Sequence, residues 1–343
     1  MKPVKLYDVT LRDGNHAVKH QIRKEFIKEY CVIAESSDVT HIEVGHGNGL
    51  GASSLLIGQS FESDATIINE ARSVLKTKKL GVHCIPGFAT VRRDLAPAVE
   101  NGVDTFRIAS HVSEANTSAK LIEFVRVNNL EPIGVLMMSH MADLHSLVSE
   151  ANKLVSYGAT SVVFMDSAGN YLPQDVSERT VALVEEVPAE IGFHAHNNLG
   201  LAVANSLAAI NAGATLIDGS SAGFGAGAGN SPLECISAVL NRIQNDDAKK
   251  LLPFLKMSDF VSTYFPMQVP KVSSTSISSG LSGVFSGFAQ KVKNISIELG
   301  IDEYYLWEEL GIRSVVAGQE SIIREVALSL KTQLINNRID GEM

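Results

Sequence analysis

Residues 190–219 read EIGFHAHNNLGLAVANSLAAINAGATLIDG. An apolar run ends in His194-Ala195-His196-Asn197-Asn198, and an amphipathic stretch follows over 199–212. Gly213 stops that stretch, and a second apolar run covers 214–219. Two short apolar runs joined by a helix-length segment with a terminal glycine make a β–α–β unit, the building block of parallel sheets. The same alternation recurs outward from here. Strands are expected at 4–10, 40–45, 80–85, 103–109, 131–137, 160–166, 190–196 and 214–219. Helices are expected over 21–36, 64–77, 90–100, 116–128, 144–157, 174–187, 199–212 and 231–245, with Gly102 and Gly158 repeating the stop at Gly213. Eight such units imply a (β/α)8 TIM barrel. A doubly wound sheet is the alternative, but it would show a Gly-rich dinucleotide loop after an early strand, and none is present.

Beyond 249 the pattern changes. Helices are expected over 251–263, 278–299, 302–310 and 317–335, with no obvious strand. The Ser- and Gly-rich run from Ser273 to Ser282 reads as a hinge or loop. The chain therefore divides into a barrel, 1–249, and a C-terminal helical domain, 250–343.

Composition narrows the function. A chain of 343 residues with 45% hydrophobic and 20% charged residues is that of an ordinary globular protein. Its net charge of −9 argues against nucleic-acid binding, which needs clustered Lys and Arg. Cys31, Cys84 and Cys235 are far apart and odd in number, so buried reduced thiols in a cytoplasmic protein are expected. No signal peptide is evident, and no apolar run reaches the ~18 residues of a membrane helix.

In a barrel the C-terminal ends of the strands face the active site. Those ends are polar here: Arg12, Asp13 and His16; His46 and Asn48; Ser110 and His111; Ser139 and His140; Asp166 and Ser167; His194 and His196; Asp218 and Ser220. Residues i and i+2 of a strand share a side, so His194 and His196 can chelate one metal. A carboxylate would complete a two-His, one-carboxylate set; Asp13 is preferred, and Asp8, deeper in the barrel, is the alternative. Nitrogen ligands move the preference from Mg²⁺ toward Mn²⁺, Co²⁺, Fe²⁺ or Zn²⁺. The run Gly223-Phe224-Gly225-Ala226-Gly227-Ala228-Gly229-Asn230 lacks the Lys-Ser/Thr of a phosphate loop. A backbone passing close to the site explains it better. Met137-Met138-Ser139-His140-Met141 reads as packing rather than a soft metal site.

Thr10-Leu11-Arg12-Asp13-Gly14 and His194-Ala195-His196-Asn197-Asn198-Leu199-Gly200 resemble the metal-dependent aldolases and lyases that include 3-hydroxy-3-methylglutaryl-CoA lyase. Within that superfamily the chain is most similar to the 4-hydroxy-2-oxovalerate aldolases. Supporting stretches are 45–54, 136–141, 225–230 and Val316-Ala317-Gly318-Gln319-Glu320, so the resemblance covers nearly the whole chain. It implies that Asp13, His194 and His196 bind a divalent metal, usually Mn²⁺, with Mg²⁺, Co²⁺ or Zn²⁺ as alternatives. It implies that Arg12 stabilises an enolate and His16 is the general base. Ser167, His194 and Phe285 would adjoin the substrate, a 4-hydroxy-2-oxo acid cleaved to pyruvate and an aldehyde. The helical domain would close over the barrel and mediate assembly with an acylating aldehyde dehydrogenase, within a homo-oligomer. The family normally has tyrosine where Phe285 stands, and Asn15 and Asn197 are departures too. Losing the tyrosine hydroxyl points to a related but non-identical substrate, or to a relaxed enzyme. A Claisen-type acyl-CoA enzyme and an inactive barrel serving as an assembly scaffold are the competing expectations.

Overall fold

The computed structural model describes residues 3–245, 247–316, 319 and 321–341. Eight parallel strands close into a barrel in sequence order: β1 (Lys5–Leu11), β2 (His41–Val44), β3 (Lys79–Cys84), β4 (Thr105–His111), β5 (Glu131–Met137), β6 (Ser161–Asp166), β7 (Glu190–Ala195) and β8 (Leu216–Gly219). β1 pairs with β8, which closes the ring. Every expected strand is present, within a residue or two at most ends. Gly102, Gly158 and Gly213 all take positive φ, as helix-stopping glycines do.

Strand parity sorts the core. Tyr7, Val9, Ala109, Ile133, Val135, Val163, Met165 and Leu216 form an apolar cluster within the barrel. The intervening residues join the larger cluster shared with the surrounding helices. This parity corrects the alternative ligand Asp8. It alternates with Tyr7 and Val9, so it points outward and bonds Thr10 Oγ1 and, at 2.6 Å, the hydroxyl of Tyr30 on helix Lys24–Ala34. Burial raises its carboxyl to about 6 despite those bonds.

The C-terminal segment differs from expectation in three places. Helix Leu252–Tyr264, expected in the second unit, buries Phe254, Met257 and Val261 in the barrel's cluster. The Ser-rich run is a helix, Ser274–Leu281, because Ser273 caps it by accepting from the Ser276 amide at 3.2 Å. The single helix expected over 278–299 is broken, since Gly283 takes φ 63° and a short turn Ser286–Phe288 precedes helix Ala289–Leu299. Helices Ala289–Leu299, Glu303–Ile312 and Ile322–Gly341 then pack around Trp307, Phe288 and Val292 in a core of their own. Of the motif at 316–320, Ala317, Gly318 and Glu320 lie outside the described residues, as does the expected start of the last helix. Among the described residues no helix is long and apolar enough to cross a membrane. Cys31 and Cys84 are buried, but Cys235 is exposed, on the outer face of helix Leu233–Gln244.

Candidate active site

Asp13, His194 and His196 converge at the C-terminal mouth of the barrel. One ligand atom from each lies within 4.8 Å of the others, and all three residues are buried. β7 delivers His194, the residue just past its end is His196, and the turn after β1 delivers Asp13. His194 Nδ1 is 2.8 Å from Asp218 Oδ2, which fixes the ring and leaves Nε2 facing the cluster. His194 Nε2 and His196 Nδ1 are buried without a hydrogen-bond partner. Buried polar atoms normally find partners, so these orphaned nitrogens fit a metal ion. Burial pushes His196 down to about 3 despite the nearby Asp13, so its ring is the neutral form a metal requires.

Asp13 is held from several sides. Arg12 Nη1 lies 2.5 Å from Oδ1, while the Ala226 amide at 3.1 Å and Asn230 Nδ2 at 2.9 Å donate to Oδ2. Burial alone would raise this carboxyl; Arg12, with His196, His16 and His194, holds it well below the usual range instead. The Gly-rich loop is thus a wrapping loop. At Gly225 a Cβ would sit 2.5 Å from Asp13 Oδ2, so only glycine lets the chain pass there.

Arg12 is itself clamped. Its Nε donates to Glu43 Oε1 and its Nη1 reaches Gly47 O at 3.4 Å, but Nη2 is buried with no partner. His16 lies against Gly47, where a Cβ would come 2.5 Å from the imidazole, and edge-on to His20 at 5.1 Å between ring centroids. Burial lowers His16, opposed by Asp13 and assisted by Arg12, which leaves a neutral imidazole at neutral pH.

The segment 274–288 roofs the mouth. Asn198, after β7, donates to Ser279 Oγ at 2.9 Å and Ser286 Oγ at 2.7 Å. Asn170, after β6, donates to Gly280 O at 2.7 Å, and His140, after β5, bonds Gly283 O at 2.9 Å. Phe285 lies on this roof, half-buried beside Phe288. Ser167 is buried, and its Oγ accepts from the Met138 amide at 2.8 Å. The departures Asn15 and Asn197 serve the loops: Asn15 donates to Gly45 O at 2.8 Å, and Asn197 accepts from the Ala202 amide at 3.2 Å. Sequence reasoning missed Glu43 and Arg107, lone charges inside apolar strands, and gave no role to Asp218 or Asn230.

A family model described as HMGL-like matches residues 3–261, and one described as a DmpG-like communication domain matches residues 270–332. Fold and site together are those of a carbon–carbon lyase of the HMGL-like class. The chain is 52% identical over 330 residues to a 4-hydroxy-2-oxovalerate aldolase of Spirochaeta aurantia, covering 96% of this chain and 97% of that one. It is 47% identical to the protein of that name from Pectobacterium atrosepticum, covering 99% of each. This chain belongs to the 4-hydroxy-2-oxovalerate aldolase family. Among solved structures, the carboxyl transferase domain of Rhizobium etli pyruvate carboxylase shares the fold, with TM-score 0.78 and 16% identity over 97% of this chain and 61% of that one.

Proposed function

We propose that this aldolase cleaves a 4-hydroxy-2-oxo acid to pyruvate and an aldehyde, or runs the reverse condensation, using Mn²⁺ held by Asp13, His194 and His196. One observation carries the proposal: His194 Nε2, His196 Nδ1 and Arg12 Nη2 are all buried and unpartnered around the Asp13 carboxylate. The metal, when bound, supplies Lewis-acid polarisation of the 2-oxo group. The neutral His16 ring accepts the 4-hydroxyl proton as the C3–C4 bond breaks. The electron pair moves toward the 2-oxo oxygen, Arg12 Nη2 donates to the enolate that forms, and a proton taken up at C3, matching the one released to His16, turns that enolate into pyruvate. Arginine suits that role because it stays charged while buried; Glu43 and Asp13 raise its pKa further against the cost of burial. Ser167 keeps its hydroxyl hydrogen free for the substrate, since its oxygen is the acceptor for Met138. Phe285 lines the roof over the aldehyde half.

In the same proposal the barrel and the C-terminal helices are separate functional units, the second docking an acylating aldehyde dehydrogenase within a cytoplasmic homo-oligomer. The match to a communication domain supports this division.

The test is a panel of aldehydes with pyruvate and Mn²⁺, read by coupled detection of product, with CoA release assayed alongside to separate Claisen chemistry. Arg12→Ala should lower kcat by ~10²–10³, the usual cost of removing a preorganised charge partner. Its effect on Mn²⁺ affinity should be much smaller. Intact turnover in that variant would refute the role.

A further inference from the structure

The barrel holds a buried chain of charge that runs from one metal-site residue to another. Asp13 bonds Arg12, Arg12 Nε bonds Glu43 Oε1, and Glu43 Oε2 lies 3.3 Å from Arg107 Nη1. Arg107 Nη2 donates to Asp218 Oδ2 at 2.6 Å, and the same oxygen bonds His194 Nδ1 at 2.8 Å. Arg107, on β4, is the centre of this chain; its hydrogen bonds go to Glu43 and Asp218 and not to the three ligand residues. It reaches across the barrel from β4 to β8 and is fully buried, its guanidinium 4.6 Å from the Tyr7 ring centroid.

Packing alone does not call for an arginine here. Around it the barrel interior is filled by Tyr7, Val9, Ala109, Ile133, Val135, Val163, Met165 and Leu216, the mainly apolar filling usual in such barrels. Apolar residues replace buried ion pairs without loss of stability in many proteins, so a retained pair asks for another reason. The planar fork of arginine can hold two carboxylates at once, which a lysine point charge does not reproduce.

We infer that Arg107 is a positioning residue for the proposed aldol reaction, aligning the enolate-binding Arg12 through Glu43 and the ligand His194 through Asp218. The two branches have separate signatures. Asp218→Asn should weaken Mn²⁺ binding, because residues behind a ligand histidine typically set ~10–100-fold in metal affinity. Glu43→Gln should lower kcat at saturating Mn²⁺ while leaving Mn²⁺ affinity within a few-fold of wild type. Arg107→Met should show both defects.

The experiment titrates Mn²⁺ into each full-length variant by electron paramagnetic resonance, then measures kcat at saturating Mn²⁺ and a thermal melt. Arg107→Lys is the fold-preserving control. It should recover the melting temperature but leave Mn²⁺ affinity and kcat at least ~10-fold below wild type. A folded Arg107→Met with wild-type affinity or wild-type kcat overturns the inference, as does full recovery of both by Arg107→Lys. The inference rests on the proposed function. If the wild-type chain neither binds Mn²⁺ nor releases pyruvate, that function fails; if it does both and the Arg107 variants match it, only the positioning role fails.

Discussion

Two walls enclose the site, and they are built by different physics. The barrel wall is charged: Asp13, Arg12, Glu43, Arg107, Asp218 and His194 are buried and hold one another in a network anchored on five strands or strand ends, with His196 buried beside it. The roof, 274–288, is neutral. It is fastened by Asn198, Asn170 and His140 through serine hydroxyls and backbone carbonyls, and its large contribution is the ring of Phe285. The wall has the groups needed to hold a metal and an enolate. The roof has groups suited to covering the substrate and selecting its shape. Breaking the wall should therefore abolish chemistry, and altering the roof should tune it.

The largest effect is expected from the wall. Asp13→Ala removes the sole carboxylate of the cluster and leaves Arg12, Asn230 and the Ala226 amide without their acceptor. The purified variant should contain no bound metal by elemental analysis and show no detectable turnover. Stoichiometric metal in that variant would break the distinction between the walls.

Acid should act next, on two histidines packed behind the site. His20 and His46 stack behind His16 with centroids 3.6 Å apart, and burial lowers His20 to about 3 and His46 to about 4. Unfolded, both would titrate near 6.5. Between those values the unfolded chain binds more protons, so stability is complete above about pH 6.5 and falls as pH drops through that window. The melting temperature should decline by several degrees from pH 7 to pH 4.5, and less steeply in His46→Gln. A flat profile over that range would show that these rings do not resist protonation.

On the roof, Asn198→Ala removes donors to Ser279 and Ser286 and leaves the mouth loosely covered. The net worth of such bonds is about 1–1.5 kcal/mol, so kcat/KM should fall roughly ten-fold. Mn²⁺ affinity should not move, although Asn198 lies only two residues beyond His196. A matched loss of metal would mean the walls are one unit.

The two walls also differed in how far the sequence revealed them. The barrel was legible because apolar runs and glycine stops repeat eight times, and His194 with His196 was legible because strand parity puts both on one side. Asp8 could not be settled without knowing which parity of β1 faces the barrel interior; Tyr7 and Val9 do. Glu43 and Arg107 were hidden for a related reason. Each is a single charge in an apolar strand, and its meaning depends on a partner across the closed ring rather than along the chain. The roof was obscured by local chemistry: the serines of 273–282 suggested a loop, and the Ser273 cap turned them into a helix.

Phe285 is where the smallest and most selective effect is expected. Its ring lies 6.0 Å from Phe288 between centroids, at an interplanar angle of 81°, and a Cβ at Gly287 would collide with it. That packing fixes the ring, so Phe285→Tyr changes only the para position and places a hydroxyl where the resemblance calls for one. One added hydrogen bond is worth about 0.5–1.5 kcal/mol, or roughly two- to twelve-fold in kcat/KM. A donor that acts on one orientation of the aldehyde half should change the enantiomeric ratio of the aldol product more than the rate. Chiral analysis of the product from pyruvate and a short aldehyde reads this directly, with Mn²⁺ affinity as the invariant. If neither ratio nor rate responds, the roof ring covers the site without orienting what lies beneath it, and selection must lie elsewhere in the mouth of the barrel.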